Sequence, residues 1–162
     1  MTTRAEFTDS EWQTLVRAPM VAGMAITLAD PGGPIEVLKE TSAVLKYVTA
    51  ESAERDGLVG EVARAVRELA QQRKNPIGDF KPRGSLAAKE ILDELARAGS
   101  IVAEKGTPEE AEAFRNWLLE CAQRAADAAK EGGFMGFNAV RVSEGEQKML
   151  DELATTLGVR RD

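Results

Sequence analysis

The chain has 162 residues, with 27 acidic and 21 basic side chains, one cysteine and no histidine. A formal net charge of −6 argues against a broad nucleic-acid-binding surface, because such a surface needs clustered lysine and arginine. The missing histidine excludes the most frequent general base, the Ser-His-Asp and Cys-His constellations and the His-containing zinc sites. We therefore expect a protein that is not an enzyme and that holds no metal and no cofactor.

The cysteine count and the apolar runs bear on the compartment. A single cysteine forms no internal disulfide, which fits a cytoplasmic protein. The amino-terminal residues include Glu6, Asp9 and Glu11 and no apolar core, unlike a secretory signal. The longest nearly apolar run, Ala18 to Ala29, is shorter than the roughly 20 residues that cross a bilayer. We expect a soluble protein without a transmembrane segment.

The first helical pattern covers residues 8–29. Thr8 and Glu11 form a capping box, in which the hydroxyl and the carboxylate each satisfy a free backbone N–H. Pro19 interrupts the pattern and lacks an N–H, so we predict that the first helix is kinked or broken at Pro19. The residues from Met20 to Leu28 are apolar on most faces, which is typical of a central helix.

Glycines and prolines from Asp30 to Pro34 end that helix, and Pro34 suits the first position of the next one. The spacing of the second helix predicts a buried stripe of Ile35, Leu38, Ser42, Leu45 and Val48. The third helix has an amphipathic stripe and ends near Arg73; its apolar positions are Leu58, Val59, Val62, Val66 and Leu69.

A loop rich in proline and glycine, Asn75 to Gly84, precedes the fourth helix. We predict that Ser85 is the N-cap of that helix, with a buried side of Leu86, Ile91, Leu92, Leu95 and Ile101. Arg83, Gly84 and Ser85 form a candidate anion site, because the N–H groups of a helix N-terminus beside an arginine hold phosphate or sulfate. The alternative interpretation of this loop is a solvated connection.

Two further capping boxes mark the last helices. Thr107 with Glu110 predicts the start of the fifth helix, and Gly132 its end. Ser143 with Glu146 predicts the start of the last helix, which Gly158 closes. Together these elements predict one all-α domain over residues 1–162, a compact bundle of five to six helices, with residues 1–7 and 159–162 disordered.

The loop 132–142 departs from the helical pattern around it. Its apolar residues either close the end of the bundle or form an exposed tip that contacts a partner. The candidate binding residues are Phe134, Met135, Phe137, Asn138 and Arg141. Our leading hypothesis is a non-enzymatic helical interaction or scaffold module that uses this loop to self-associate or to bind a protein partner in an assembly. The alternative is a carrier of a small apolar ligand between helices, since a bend at Pro19 opens space beside the apolar helix.

Several residues keep an enzyme hypothesis open. Glu36 with Glu40, and Glu90 with Asp93 or Glu94, lie within one helical turn. Such pairs bind cations or act as acid and base, but we interpret them as solvated helix faces. Tyr47 is the one tyrosine, and Cys121 is interpreted as an inert buried thiol. A buried carboxylate with a raised pKa inside a cleft would favour an enzyme.

The segment Ala125 to Glu146 reads A-x-x-A-A-K-E-G-G-F-M-G-F-x-x-V-R-V-S-E-x-E. It resembles a group of uncharacterised all-helical bacterial proteins, as do F-T-x-x-E-W at Phe7 to Trp12 and A-D-P-x-G at Ala29 to Gly33. The resemblance implies an all-α bacterial protein and no catalytic residue. A looser likeness to the small helical tellurite-resistance proteins rests on the acidic, all-α character, and the acidic metal-binding motifs of those proteins are not evident here.

Overall fold

The computed structural model describes residues 1–30, 32–131 and 142–160, and these ranges contain six α-helices and no strand. The helices are α1 (Asp9–Ala29), α2 (Pro34–Lys46), α3 (Gly57–Gln71), α4 (Ala87–Lys105), α5 (Pro108–Glu131) and α6 (Glu144–Leu157). A π-helical turn, Tyr47–Glu51, extends α2, and short 3₁₀ helices lie at Arg4–Glu6, Ser52–Glu54 and Gly84–Leu86. The predicted all-α bundle is confirmed.

Helix α1 lies at the centre of the bundle and packs against the five other helices. Its middle is buried on nearly every side, and Leu15, Val21 and Ile26 are fully inaccessible. The central helix predicted from Met20 onward is therefore confirmed, although Leu28 at its end is 40% exposed. The helix passes through Pro19 without interruption, so of the two predicted alternatives the break is excluded.

The capping boxes start their helices as predicted. In each one the glutamate N–H donates to the cap hydroxyl over 3.1–3.2 Å, and the glutamate carboxylate accepts the cap N–H. The three pairs are Thr8–Glu11, Thr107–Glu110 and Ser143–Glu146. Pro34 occupies the first turn of α2, and Gly158 closes α6 with φ 69°. These local predictions are confirmed.

Helix α2 buries a different face from the predicted one. Ile35 and Leu38 are 67% and 66% exposed, whereas Glu40 and Val44 are buried. The reason is the approach of α2 to α1 at Gly23, where an added Cβ would lie 2.9 Å from Val44 Cγ2. Because Val44 is fixed at this crossing, the residue one turn before it also faces inward. The predicted stripe is wrong at Ile35, Leu38 and Ser42, which are exposed.

The amino-terminal residues, for which the sequence suggested disorder, contact the body of the bundle. Phe7 is 4% exposed and packs in the core. The N–H and the hydroxyl of Thr2 both donate to the carboxylate of Glu110, over 3.1 and 2.8 Å. Glu110 also caps α5, so the same carboxylate ties residue 2 to the start of that helix. In the described ranges, no helix combines the length and the apolarity needed to cross a bilayer.

Candidate functional site

A cleft of about 630 Å³ opens between α1, α3 and the loop that follows α3. Its apolar wall consists of Trp12, Val16, Ala65 and Leu69, and its polar side of Gln13, Arg17, Glu68, Gln72, Lys74, Asn75 and Asp79. We name it the Arg17 cleft. Small-molecule sites have volumes of roughly 300–1,000 Å³ and combine apolar walls with a few converging polar groups, which this cleft also does.

The loop side of the cleft is built by the end of α3. Arg73 has φ 58°, in the left-handed region. The N–H of Lys74 donates to the carbonyl of Leu69 over 2.9 Å, and the N–H of Arg73 to that of Ala70 over 3.0 Å. These bonds form a Schellman motif, which usually has glycine at the left-handed position. The motif ends α3 near Arg73, as the sequence predicts.

A second local turn follows directly. The Asn75 side chain accepts the N–H of Ile77 over 3.0 Å, and its carbonyl accepts the N–H of Gly78 over 3.1 Å. The side chains of Ile77 and Phe80 pack against the core. The loop is therefore anchored at both apolar residues, and it places Asp79 beside α1.

Arg17 lies where the cleft meets a second one. This second cleft has about 520 Å³ and is bordered by Arg17, by the loop and by Glu90, Asp93, Glu94 and Arg97 of α4. The side chain of Arg17 is 13% exposed, and its Nη1 lies 3.9 Å from Oε1 of Glu94. Its guanidinium carbon is 5.8 Å from the centre of the Phe80 ring. A basic group thus lies at the junction of both clefts.

The hydrogen bonds of Arg17 are incomplete. A guanidinium has five N–H donors. Within residues 1–30, 32–131 and 142–160, Arg17 makes one hydrogen bond, from Nη2 to Oδ1 of Asp79 over 3.4 Å. Among the described residues, the buried Nε of Arg17 has no acceptor and Oε1 of Glu94 has no donor. Asp79 is 97% exposed, so its contact with Arg17 is of the weak surface type.

Trp12 is positioned by the amino-terminal residues. Its ring centre lies 5.8 Å from that of Phe7, and the Arg4 guanidinium lies 5.4 Å from the Trp12 ring centre. Trp12 is half-buried and forms part of the apolar wall. The start of the chain thereby contributes to the cleft without lining it.

A smaller cavity lies between α1 and α2, beside the helix for which we predicted an apolar ligand. It has about 170 Å³ and is lined by Met20, Gly23, Met24, Thr27, Val37, Thr41, Val44 and Ile77. This volume is below the usual range of ligand sites. The Arg17 cleft lies on the other side of Pro19 along α1.

The predicted binding residues Phe134, Met135, Phe137, Asn138 and Arg141 lie outside the described residues.

The predicted anion site is described, and it differs from the expectation. Gly84–Leu86 is a 3₁₀ turn and α4 begins at Ala87, so the N-cap role of Ser85 is wrong. Leu86, predicted on the buried side, is 59% exposed. Arg83, Gly84 and Ser85 are all exposed. The N–H of Arg83 donates to the carboxylate of Glu90 over 3.3 Å, so an acidic group of the chain already occupies this turn.

Two of the carboxylates interpreted as solvated are buried. Glu40 is 2% exposed, and its carboxylate accepts the hydroxyl of Thr27. Burial raises the pKa of Glu40 above its ordinary value, and the nearby Glu146 acts in the same direction. Glu94 is mostly buried beside Arg17. The interpretation as solvated faces is therefore wrong for Glu40 and Glu94, because the helices turn these residues toward α1.

The remaining candidates for chemistry are held in the core. Burial raises the pKa of Tyr47, whose hydroxyl donates to Glu120, so the phenol keeps its proton at neutral pH. Cys121 is fully buried, and burial raises the pKa of its thiol. The prediction of a buried thiol is confirmed. In the part of the chain that the structure describes, no group of three or more acidic or thiol side chains is arranged to hold a metal.

Sequence reasoning missed Arg17. A basic residue in an amphipathic helix is usually solvated. Arg17 lies between the apolar residues Val16 and Ala18 and belongs to no sequence motif. The one available signal was the isolated Phe80 in the loop, since an aromatic residue there predicts that the loop packs back on the bundle.

Comparison of the chain with models of protein families, with curated proteins and with solved structures gives no match. The resemblance to bacterial all-helical proteins therefore stays a prediction.

Proposed function

We propose that this protein is a non-catalytic helical protein that binds a small molecule in the Arg17 cleft. The observation that carries this proposal is a cleft of about 630 Å³ with an apolar wall from α1 and α3 and polar groups from both helices and from the anchored loop after α3. Concave sites of this size and lining are the usual sites of small ligands. The proposal keeps the carrier hypothesis of a ligand between helices, but the cleft lies beside Trp12 to Arg17 of α1 and not beside the apolar stretch from Met20 to Leu28.

A variant that fills the cleft tests the proposal. Ala65 lines the apolar wall and is half-buried, so Ala65→Trp places an indole in the cleft. Ala103 is exposed on α4, and Ala103→Trp is the matched control. We expect a fragment library, read by saturation-transfer NMR, to contain binders of the wild type and of Ala103→Trp that are lost in Ala65→Trp. A library without any such fragment would contradict the proposal, once circular dichroism has shown that both variants fold.

A second candidate function is that of an interaction module that self-associates through the outer face of α2. Ile35 and Leu38 are 67% and 66% exposed, and residues three positions apart are neighbours on one helix face. Leu28, at the end of α1, is also 40% exposed. Contiguous exposed apolar side chains are typical of contact surfaces. The proposal that the loop 132–142 takes part in such a contact stays open.

Sedimentation velocity tests this second candidate. We expect the wild type to associate in a concentration-dependent way and Ile35→Glu/Leu38→Glu to remain monomeric. Leu86 is 59% exposed at the start of α4, so Leu86→Glu is a control that removes an exposed leucine elsewhere. A wild type that stays monomeric at all concentrations would rule out this function, whereas association in both variants would place the contact elsewhere.

A further inference from the structure

We infer that the ligand of the Arg17 cleft is a monocarboxylate with an apolar body, and that Arg17 receives its carboxylate. This inference rests on the proposed function, because it identifies the chemical class of the molecule that the cleft binds. It depends on three features: the state of Arg17, the charges of the cleft and the apolar wall.

The first feature is the unused hydrogen-bonding capacity of Arg17. The guanidinium is mostly buried, but its one hydrogen bond in the described ranges is a 3.4 Å contact to the exposed Asp79. Glu94 lies 3.9 Å from Nη1, beyond hydrogen-bond distance. A mostly buried charge without full hydrogen bonding is unfavourable, and a carboxylate that takes the place of Asp79 supplies strong acceptors for the Nη1 and Nη2 edge. Asp79 then turns into solvent, where it is already almost fully exposed.

The second feature is the charge balance, which limits the ligand to a single negative charge. The cleft is lined by two basic residues, Arg17 and Lys74, and by two acidic residues, Glu68 and Asp79. The lining is therefore neutral, and Glu94, 3.9 Å from Nη1 of Arg17 in the second cleft, adds one more negative charge nearby. A dianion such as a phosphate monoester needs a second cation that no acidic group offsets, whereas Lys74, the other basic residue of the described lining, is offset by the two acidic residues there. One carboxylate requires only Arg17.

The third feature is the apolar wall. Trp12 and Val16 lie next to Arg17 along α1, and Leu69 of α3 also lines the cleft. An apolar chain or ring bound there removes this surface from water, which favours binding. A small inorganic anion leaves the wall uncovered. The combination of one cation and an adjacent apolar wall thus fits an amphipathic acid.

The experiment compares octanoate with octanamide, which has the same chain and a neutral head group. Trp12 lies in the wall, whereas Trp117 is fully buried in the core, so the fluorescence change of Trp12 reports binding and Trp12→Phe identifies its source. We expect octanoate to bind the wild type at least about tenfold more tightly than octanamide, a difference of about 1.4 kcal/mol. Titration calorimetry provides the affinities.

Three variants assign the effect to Arg17. Arg17→Gln is expected to lower the affinity for octanoate by about tenfold or more and to leave the affinity for octanamide unchanged. Asp79→Asn is expected to raise the affinity for octanoate, because it removes the carboxylate that competes for Arg17. Arg67 has the same charge on α3 but pairs with Glu54 over 3.1 Å outside the cleft, so Arg67→Gln is the matched control and should have no effect. Thermal melts establish that each variant is folded.

The outcomes separate this inference from the proposed function. Equal affinity for octanoate and octanamide, both lost in Ala65→Trp, overturns the inference and leaves a cleft that binds small molecules. If octanoate does not bind, but other fragments bind the wild type and not Ala65→Trp, the inference is overturned and the proposed function stands. Absence of every Ala65→Trp-sensitive fragment overturns the proposed function as well. If Arg17→Gln is unfolded, the Asp79→Asn affinity decides, and an unchanged or weaker octanoate affinity contradicts the role of Arg17.

Discussion

The indole N–H of Trp117 donates to the hydroxyl of Ser52 over 2.8 Å, and both side chains are fully buried. The same hydroxyl donates to the carbonyl of Tyr47 over 3.1 Å. Tyr47 begins the π-helical turn at the end of α2, so one buried hydroxyl satisfies both an α5 side chain and the backbone of an irregular turn. This arrangement joins α2 to α5 inside the core.

Ser52→Ala is expected to lower the free energy of unfolding by about 1–3 kcal/mol, because it leaves the indole N–H buried without an acceptor. Urea denaturation followed by circular dichroism measures the effect. Ser100 is exposed on α4, and Ser100→Ala should change stability by no more than about 0.5 kcal/mol. Equal effects of the two substitutions would show that the Ser52 hydroxyl is not needed for the core.

Two buried glycines within helices should respond to alanine in opposite directions. At Gly23 an added Cβ would lie 2.9 Å from the stiff, β-branched side chain of Val44. At Gly99 the nearest atoms are 3.7 Å away, on the flexible Arg115 side chain. Gly23→Ala is therefore expected to destabilise the protein by about 1–3 kcal/mol through overpacking. The higher helix propensity of alanine offsets part of this loss. Gly99→Ala should stabilise by about 0.5–1 kcal/mol.

Thermal and urea unfolding of both glycine variants check this pair of predictions. A Gly23→Ala protein as stable as Gly99→Ala would mean that α2 shifts away from α1 without loss, and that the crossing at Val44 does not set the position of α2.

Glu40→Gln is expected to stabilise the protein at neutral pH. The pKa of Glu40 is raised in the folded state by burial, above its ordinary value of 4.5. The folded protein then holds a proton that the unfolded chain has released, so the wild type loses stability as pH rises from 4.5 through the folded pKa. Glutamine keeps an acceptor for Thr27 and removes this loss.

The measurement is the free energy of unfolding of both proteins between about pH 5 and 8. The advantage of Glu40→Gln should grow as the pH rises above 4.5, the ordinary pKa of the carboxyl. Glu112 is exposed on α5, so Glu112→Gln makes the same change in net charge without altering a buried group. A constant difference between Glu40→Gln and the wild type over this range would argue against a raised pKa.

Arg73→Gly is expected to stabilise the protein by up to about 1 kcal/mol. Arg73 has φ 58°, and a left-handed residue with a side chain costs about 1–2 kcal/mol. Glycine removes this strain but increases the freedom of the unfolded chain, which offsets part of the effect. Arg73→Ala removes the same charge and keeps the strain, so its melting temperature should not rise. An equal rise in Arg73→Ala and Arg73→Gly would assign the effect to charge.

Local patterns predicted where α1, α5 and α6 begin, but not where α4 begins, and long-range packing decided which faces are buried. The Thr8–Glu11 box starts α1 because both partners lie within one turn, and the sequence contains everything that this interaction needs. The face of α2 depends on Gly23, which lies on another helix and admits Val44. Because the sequence of α2 does not contain Gly23, the apolar spacing of Ile35 and Leu38 predicted that the wrong face of α2 is buried.

The candidate site was not predictable for a similar reason. Arg17, Asp79 and Glu94 come from α1, a loop and α4, and no short motif joins them. The path of the loop that carries Asp79 begins at the left-handed Arg73, where the sequence has no glycine to indicate the turn. The contact of Arg17 with Glu94 follows from the packing of α1 against α4. The proline and glycine residues of the loop predicted only that the chain reverses there.

The fully buried Cys121 allows opening of the bundle to be measured by chemical labelling. As the one thiol in the chain, it reacts with an alkylating reagent only when α5 separates from its neighbours. The labelling rate in native buffer, measured by mass spectrometry, therefore counts openings of the core directly. A ligand in the Arg17 cleft that holds α1 against α3 would slow the labelling of Cys121. The labelling rate would then report binding, although Cys121 does not line the cleft.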